Sequence, residues 1–196
     1  MLITKGELIN AKESLRLASL GYDLMDRKNL ILMQELSKMM ETSRRLRDDI
    51  DTAYQRAYSA LQRANISLGV IKRIADITPV EEDIKIVYRS VMGIEIPIVT
   101  LEEKPLQIPY SLSISNSRLD EVYIEMRKVK YFTIQLAQLD NGMYRLAQAI
   151  QKSRKRANAL EGFVIPDLQV KIKHISDSLE EKEREDFTRM KLVKKK

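Results

Sequence analysis

The chain has 196 residues, a formal charge of +6, 32% charged side chains, and only 6 Gly, 5 Pro, 3 Phe and no Trp or Cys. So little turn chemistry excludes a turn-rich β architecture, and an aromatic share of 6% leaves any core to be built from Leu, Ile, Ala and Met, an inventory that suits long helices. Without Cys, and with one His, disulfides, thiolate metal sites, thiol nucleophiles and ordinary zinc sites fall away.

The first 75 residues contain no Pro and only Gly6, Gly21 and Gly69, so the sequence predicts a helix running to Thr78-Pro79. Placing heptad position a at Leu8 puts a and d at Leu8, Ala11, Leu15, Ala18 and onward to Ile71 and Ile74, with Asn29, Ser43 and Ser67 as the polar exceptions. A seam of period 3.5 sustained this long predicts a left-handed supercoiled helix. A polar seam residue either specifies register at a cost in stability or is merely tolerated.

Residues 78–116 change character. Ile84-Lys85-Ile86-Val87-Tyr88 and Ile94-Glu95-Ile96-Pro97-Ile98 flank Met92-Gly93, which predicts two strands around a tight turn with Pro97 on an edge. Lys104 to Tyr110 reads as irregular, and Ser115-Asn116-Ser117 offers caps for the next helix. Charge separates the sections: 13 basic against 9 acidic residues over 1–75, 3 against 7 over 76–116, and 18 against 12 over 117–196.

The second seam is Val129, Phe132, Leu136, Leu139, Met143, Leu146, Ile150, Ser153, Ala157, Leu160 and Val164. From Val164 the apolar positions step by four to Leu168 and Ile172, a stutter that unwinds a supercoil. Gly162 and Pro166 lie there, and a proline lacks one donor and crowds the carbonyl four residues back, so a bend or loosened turn is expected, with an elastic role as a hypothesis. Arms of about 70 residues reach about 100 Å, and neither buries its stripe alone. The expected fold is all-α, a long antiparallel two-helix coiled-coil rod with a small hairpin-containing head: helix 1–77, head 78–116, helix 117–196. Aligning the two chain ends brings Arg44, Arg45 and Arg47 level with Lys152, Arg154, Lys155 and Arg156, a positive collar.

Catalytic apparatus is hard to find. His174 has no second His or Cys beside it, and Glu180 to Asp186 reads as a solvated face with i,i+4 ion pairs. No phosphate-cradling GxxxxGK[ST] or GxGxxG occurs, so no catalytic, cofactor or metal residues are assigned. The basic clusters, including Lys194 to Lys196, lack adjacent stacking aromatics and point to protein contact, not nucleic acid. No window approaches the roughly 18 apolar residues of a bilayer span, and the opening residues lack an uninterrupted apolar run.

Lys5, Leu8, Lys12, Leu15, Ala18, Gly21-Tyr22-Asp23-Leu24 and Arg27-Lys28, with Lys152 to Glu161 and Val164-Ile165-Pro166, resemble the D subunit of V-type and A-type rotary ATPases over nearly the whole chain. Ser153 and Ala157 depart from the Thr and Val usual there. The resemblance implies a central rotor shaft, non-catalytic itself, turning inside a hexamer of catalytic and non-catalytic nucleotide-binding subunits. It implies further contacts with the small F subunit and a funnel-like subunit above the membrane ring, and a cytoplasmic location peripheral to the membrane. Arg154 to Arg156 and Glu161 would then lie near the hexamer rim and the F-subunit contact. The alternatives are a prefoldin-like coiled-coil chaperone, which needs apolar arm tips, or another coiled-coil scaffold such as a membrane-curving module with a one-sided basic surface.

Overall fold

The structure is a computed structural model that describes residues 4–77, 84–101, 110–111 and 115–194. In chain order it comprises α1 (Lys5–Leu68), α2 (Lys72–Ile77), β1 (Ile84–Val91), β2 (Ile94–Leu101), α3 (Ser117–Ala159), a π-helical turn (Leu160–Val164) and α4 (Ile165–Lys194). The chain divides into two compact units, one of residues 32–149 and one of residues 1–31 with 150–196. The expected irregular stretch from Lys104 lies outside the described residues except for Tyr110.

Local chemistry sets the helix ends. Thr4 caps α1, its Oγ1 accepting the Glu7 N–H at 3.2 Å, in the Thr-x-x-Glu spacing that favours helix starts. The far end differs from expectation. Instead of continuing to residue 77, α1 stops at Leu68 because Gly69 takes φ +75° and its N–H bonds the Asn65 carbonyl at 2.9 Å, a left-handed cap that glycine adopts without Cβ strain. Ile71 and Ile74 therefore belong to the Gly69 turn and the short α2, not to the seam. Asn116 caps α3 as expected, accepting the Leu119 N–H at 3.1 Å, and its amide also reaches Ser67 Oγ at 2.6 Å.

In the unit of residues 32–149, α1 and α3 run antiparallel: Arg63 pairs with Glu121 at 2.7 Å and Arg47 with Asp140 at 3.7 Å. The seam is the one the heptads predict. Every a and d position from Leu8 to Ala64 is buried or half-buried, and in this unit Leu32, Ala57, Ala60, Ala64 and Leu146 have no exposed surface. Full burial of one leucine contributes about 1.5–3 kcal/mol. Between Ala53 and Ala64 the α1 side is all alanine, packed against Val122 and Val129 with Met126, Tyr54, Leu61 and Phe132 closing the flanks. Ser43 is buried in the same seam, whereas Ser67 is exposed beside the Asn116 cap.

β1 and β2 form an antiparallel hairpin in the register Ile84↔Leu101 to Val91↔Ile94. Met92 and Gly93 both have positive φ, 51° and 78°, the two-residue turn whose twist matches that of paired strands. Its position refines the expected separate head: the hairpin lies against the flank of α1 and α3. Ile96 is buried, and a Cβ on Gly142 would sit 3.0 Å from Ile96 Cγ2 and 2.6 Å from Met39 Cε, so any side chain there would push the Met39 tip and Ile96 aside, and glycine suits the close approach of strand and helix. Arg89 reaches Glu35 at 2.6 Å, and Gln138 Oε1 accepts the Val99 N–H at 2.9 Å. Tyr110, buried edge-on against Tyr123, donates to Asp120 at 2.7 Å in the first turn of α3. Burial first, then the Asp120 carboxylate, pushes its hydroxyl pKa well up.

In the other unit, residues 5–31 of α1 lie antiparallel to residues 150–194, with Lys5 on Glu183 at 2.8 Å and Glu7 on Lys171 at 3.6 Å. The loosened turn falls where Gly162 and Pro166 predict it. Pro166 has no N–H to give and its ring would press on the Gly162 carbonyl, and the chain answers with a π turn in which the Ile165 N–H bonds the Leu160 carbonyl. That turn holds one residue more than an α turn, so the inward position passes from Val164, which is exposed, to Ile165. The seam then reads Ile165, Leu168, Ile172, Ile175 and Leu179, all buried or half-buried, with regular three-and-four spacing. The stutter is thus taken up in one turn.

Candidate partner-contact surface

The residues singled out as contacts are all exposed, and the structure separates them into two groups. Arg44, Arg45 and Arg47 stand on α1 in the unit of residues 32–149; Arg45 pairs with Glu41 at 2.5 Å and Arg47 with Asp140 at 3.7 Å across the seam. Lys152, Arg154, Lys155, Arg156 and Glu161 stand in the other unit, around the half-buried Ser153 and buried Ala157. The expected collar of Arg44, Arg45 and Arg47 with Lys152 to Arg156 is therefore corrected: Arg47 faces Asp140, twelve residues short of Lys152. Aligning chain ends sets the wrong register, because α4 residues beyond Glu183 run past the start of α1.

A different set meets Lys152 to Arg156. A Cβ on Gly21 would lie 3.9 Å from Leu160 Cδ1, and Tyr22 lies beside Glu161. Stepping six residues, about 9 Å, along each antiparallel helix brings Arg27 level with Arg154 and Lys28 level with Lys155. Six cations, Arg27, Lys28, Lys152, Arg154, Lys155 and Arg156, so fall within about two turns of one helix pair. Glu161 closes one side. Its carboxylate, ahead of partial burial, raises the pKa of the Tyr22 hydroxyl, with smaller contributions from Asp26 and Asp23.

Inside the collar the seam carries Asn29, buried, with no hydrogen-bond partner for its Oδ1 among the described residues. Such an orphaned carbonyl costs about 1–3 kcal/mol. In the sequence Arg27 and Lys28 are legible only as part of a motif; what assigns them to the collar is the approach of Gly21 to Leu160 and of Tyr22 to Glu161 in the same unit. Among the described residues no cluster of His, Cys, Asp or Glu has the makings of a metal site, and no helix is long and apolar enough to cross a membrane. His174 is an exposed helix residue.

Helices paired through heptad seams within each unit, with a hairpin docked on a helix flank, define a helical coiled-coil class of protein. The sequence profile of the ATP synthase D subunit matches residues 7–195, so the chain belongs to the D-subunit family of ATP synthases. It is 40% identical to the D subunit of the V-type ATP synthase of Thermotoga neapolitana over 98% of this chain and 96% of that one. It is 31% identical to the D subunits of the A-type ATP synthases of both Thermococcus kodakarensis and Pyrococcus horikoshii, over 97% of this chain and 92% of each of those. Membership makes it a component of a V/A-type ATPase complex.

Proposed function

We propose that the chain is the central rotor shaft of a V/A-type rotary ATPase, passing torque between a nucleotide-binding hexamer and an ion-translocating membrane ring, with no catalysis of its own. The observation that supports this most directly is the heptad seam within each unit: packed a and d side chains from Leu8 to Asn29 and from Leu32 to Ala64 oppose local bending and unwinding of the helix pairs they join. An asymmetric shaft inside a ring of three alternating sites contacts each site differently, so its angle biases their conformations, and nucleotide binding biases the angle in return. The collar of Arg27, Lys28, Lys152 and Arg154 to Arg156 is the surface proposed for contact with other subunits, with Glu161 at its edge. The remaining partners are the small F subunit and the funnel-like subunit over the ring, placing the chain at the cytoplasmic side as a peripheral component.

The test is reconstitution. Purified chain mixed with the nucleotide-binding subunits and the F subunit is expected to co-elute with them and to raise their ATP turnover, and a reporter fixed to it is expected to rotate during hydrolysis. A chain that remains separate under these conditions, or stays stationary while ATP is consumed, refutes the reading.

A further inference from the structure

Three helix-weakening residues come together in the helix pair of residues 5–31 and 150–194. Gly21 on α1 stands opposite Leu160, Gly162 lies two residues, about 3 Å, further along the facing helix, and Pro166 follows one turn later. A glycine inside a helix weakens it and is expected where a left-handed φ or a close approach demands it. Neither demand exists here. Gly21 and Gly162 do not take positive φ. A Cβ on Gly21 would meet Leu160 Cδ1 at 3.9 Å, an ordinary van der Waals contact, and among the described residues nothing lies within 4 Å of one on Gly162. Gly69 and Gly93, with positive φ, and Gly142, crowded by Met39 and Ile96, are the contrast.

Hydrogen bonding and packing are thin at the same level. Ile165 gives its N–H to Leu160 instead of Glu161, and Pro166 has none for Gly162, so two successive carbonyls lose the donors that an α-helix supplies. Among the described residues none from Lys12 to Lys28, and none from Asn158 to His174, is fully buried; Ala11 and Asn29 on α1, and Ala157 and Ile175 on the facing helix, bound these stretches and are buried. Shallow burial and weak hydrogen bonding localise opening, and helices bend at glycines, prolines and π turns.

We propose that Gly21, Gly162, the π turn and Pro166 form a compliant joint, about which residues 5–20 with 166–183 bend and twist against residues 22–31 with 150–159. In a rotor shaft this puts the give between the chain ends and the cationic collar. That consequence rests on the functional reading above, whereas the joint itself rests on the helix pair alone.

Spin-label pairs on the isolated full-length chain test it. Lys12 and Arg27 straddle the joint on α1, while Arg44 and Ser59, equally far apart on the same helix, lie outside it, and all four are exposed. The distance distribution of the first pair is expected to be the wider, and to narrow when Gly21→Ala and Gly162→Ala are combined. In the same variant the amides of residues 18–24 and 160–165 are expected to exchange about five- to thirtyfold more slowly. Gly6→Ala, in the first turn of α1, is the control and is expected to change neither. Equal widths for the two pairs, a double variant as broad as the parent, or slowing that Gly6→Ala reproduces overturns the proposal. In the assembled ATPase the double variant is expected to narrow the angular fluctuations of a reporter fixed to the chain, and unchanged fluctuations overturn the placing of the give. A reporter that never rotates removes the rotor reading, a result separate from those on the isolated chain.

Discussion

Deleting Gly162 is expected to leave the helix pair of residues 5–31 and 150–194 about as stable as before, although a one-residue deletion in a coiled coil normally disrupts it. The π turn holds one residue beyond the α-helical count, so removing one restores an ordinary turn and leaves Leu160, Ile165, Leu168, Ile172 and Ile175 inward. Nothing lies within 4 Å of where a Gly162 side chain would begin, and loss of a mid-helix glycine returns about 0.5–1 kcal/mol. The comparison is deletion of Val170, an exposed residue outside the π turn. That change rotates everything after it by about 100°, turning Ile175, 1% exposed, and the half-buried Ile172 and Leu179 toward water. Losing these contacts costs about 2–5 kcal/mol. Amide exchange along α4, read residue by residue, measures the local opening free energy in each variant. Equal destabilisation by the two deletions would show that the π turn does not hold the surplus residue and would refute the argument.

Replacing Asn29 with Leu removes the orphaned buried oxygen and is expected to stabilise its helix pair by about 1–2 kcal/mol, seen as slower exchange around residues 25–32, while relaxing register; no gain, or a loss, would mean the amide has a partner in solution. Gly142→Val drives a side chain into Ile96 and Met39 and should cost about 1–3 kcal/mol, with β2 amides exchanging faster than those of α3; unchanged β2 protection would contradict the close approach. The exposed Lys5–Glu183 pair predicts a pH response. Lys5 hydrogen bonding and charge hold the Glu183 carboxyl below its ordinary value, and Glu183 raises Lys5. The carboxylate's contribution is therefore present above about pH 4.5 and is lost as pH falls through the lowered value, while that of the ammonium is complete below about 10.5 and is lost as pH rises through the raised one. Fraying of residues 5–8 at both extremes, suppressed at neutral pH and enhanced by salt, is the expected exchange pattern; pH-independent fraying would argue against the pair.

Much of this molecule is legible because heptad spacing is a strictly periodic signal: Leu8 to Ala64 need only be counted. Met92-Gly93 is equally readable, since β-branched runs around a glycine turn have few other solutions. Gly69 gives no comparable signal, because a helix-interior glycine and a left-handed cap look alike until a carbonyl is seen to accept its N–H. The misplaced collar follows from assuming that the chain ends align, whereas the pairs Lys5–Glu183, Arg47–Asp140 and Arg63–Glu121 set a register about a dozen residues away from that assumption. Where the hairpin docks is not readable either. It depends on a gap at Gly142 matching Ile96, nearly fifty residues away in sequence, and no local pattern announces such a pair. The π turn lies between these cases: its place is marked by Gly162 and Pro166, but whether the chain bends or absorbs a residue is decided by the apolar side chains beyond it.

The alanine run from Ala53 to Ala64 gives that stretch a lopsided tolerance to change. At Leu32 or Ile175 harm comes from trimming, which hollows out the interior; at Ala57, Ala60 and Ala64, all without exposed surface, there is hardly anything to trim, and harm comes from growth, which wedges the helices apart. Natural variation should accordingly drift toward glycine or serine in this stretch and toward other bulky aliphatics at Leu32 and Ile175, so one helix obeys opposite substitution rules along its length.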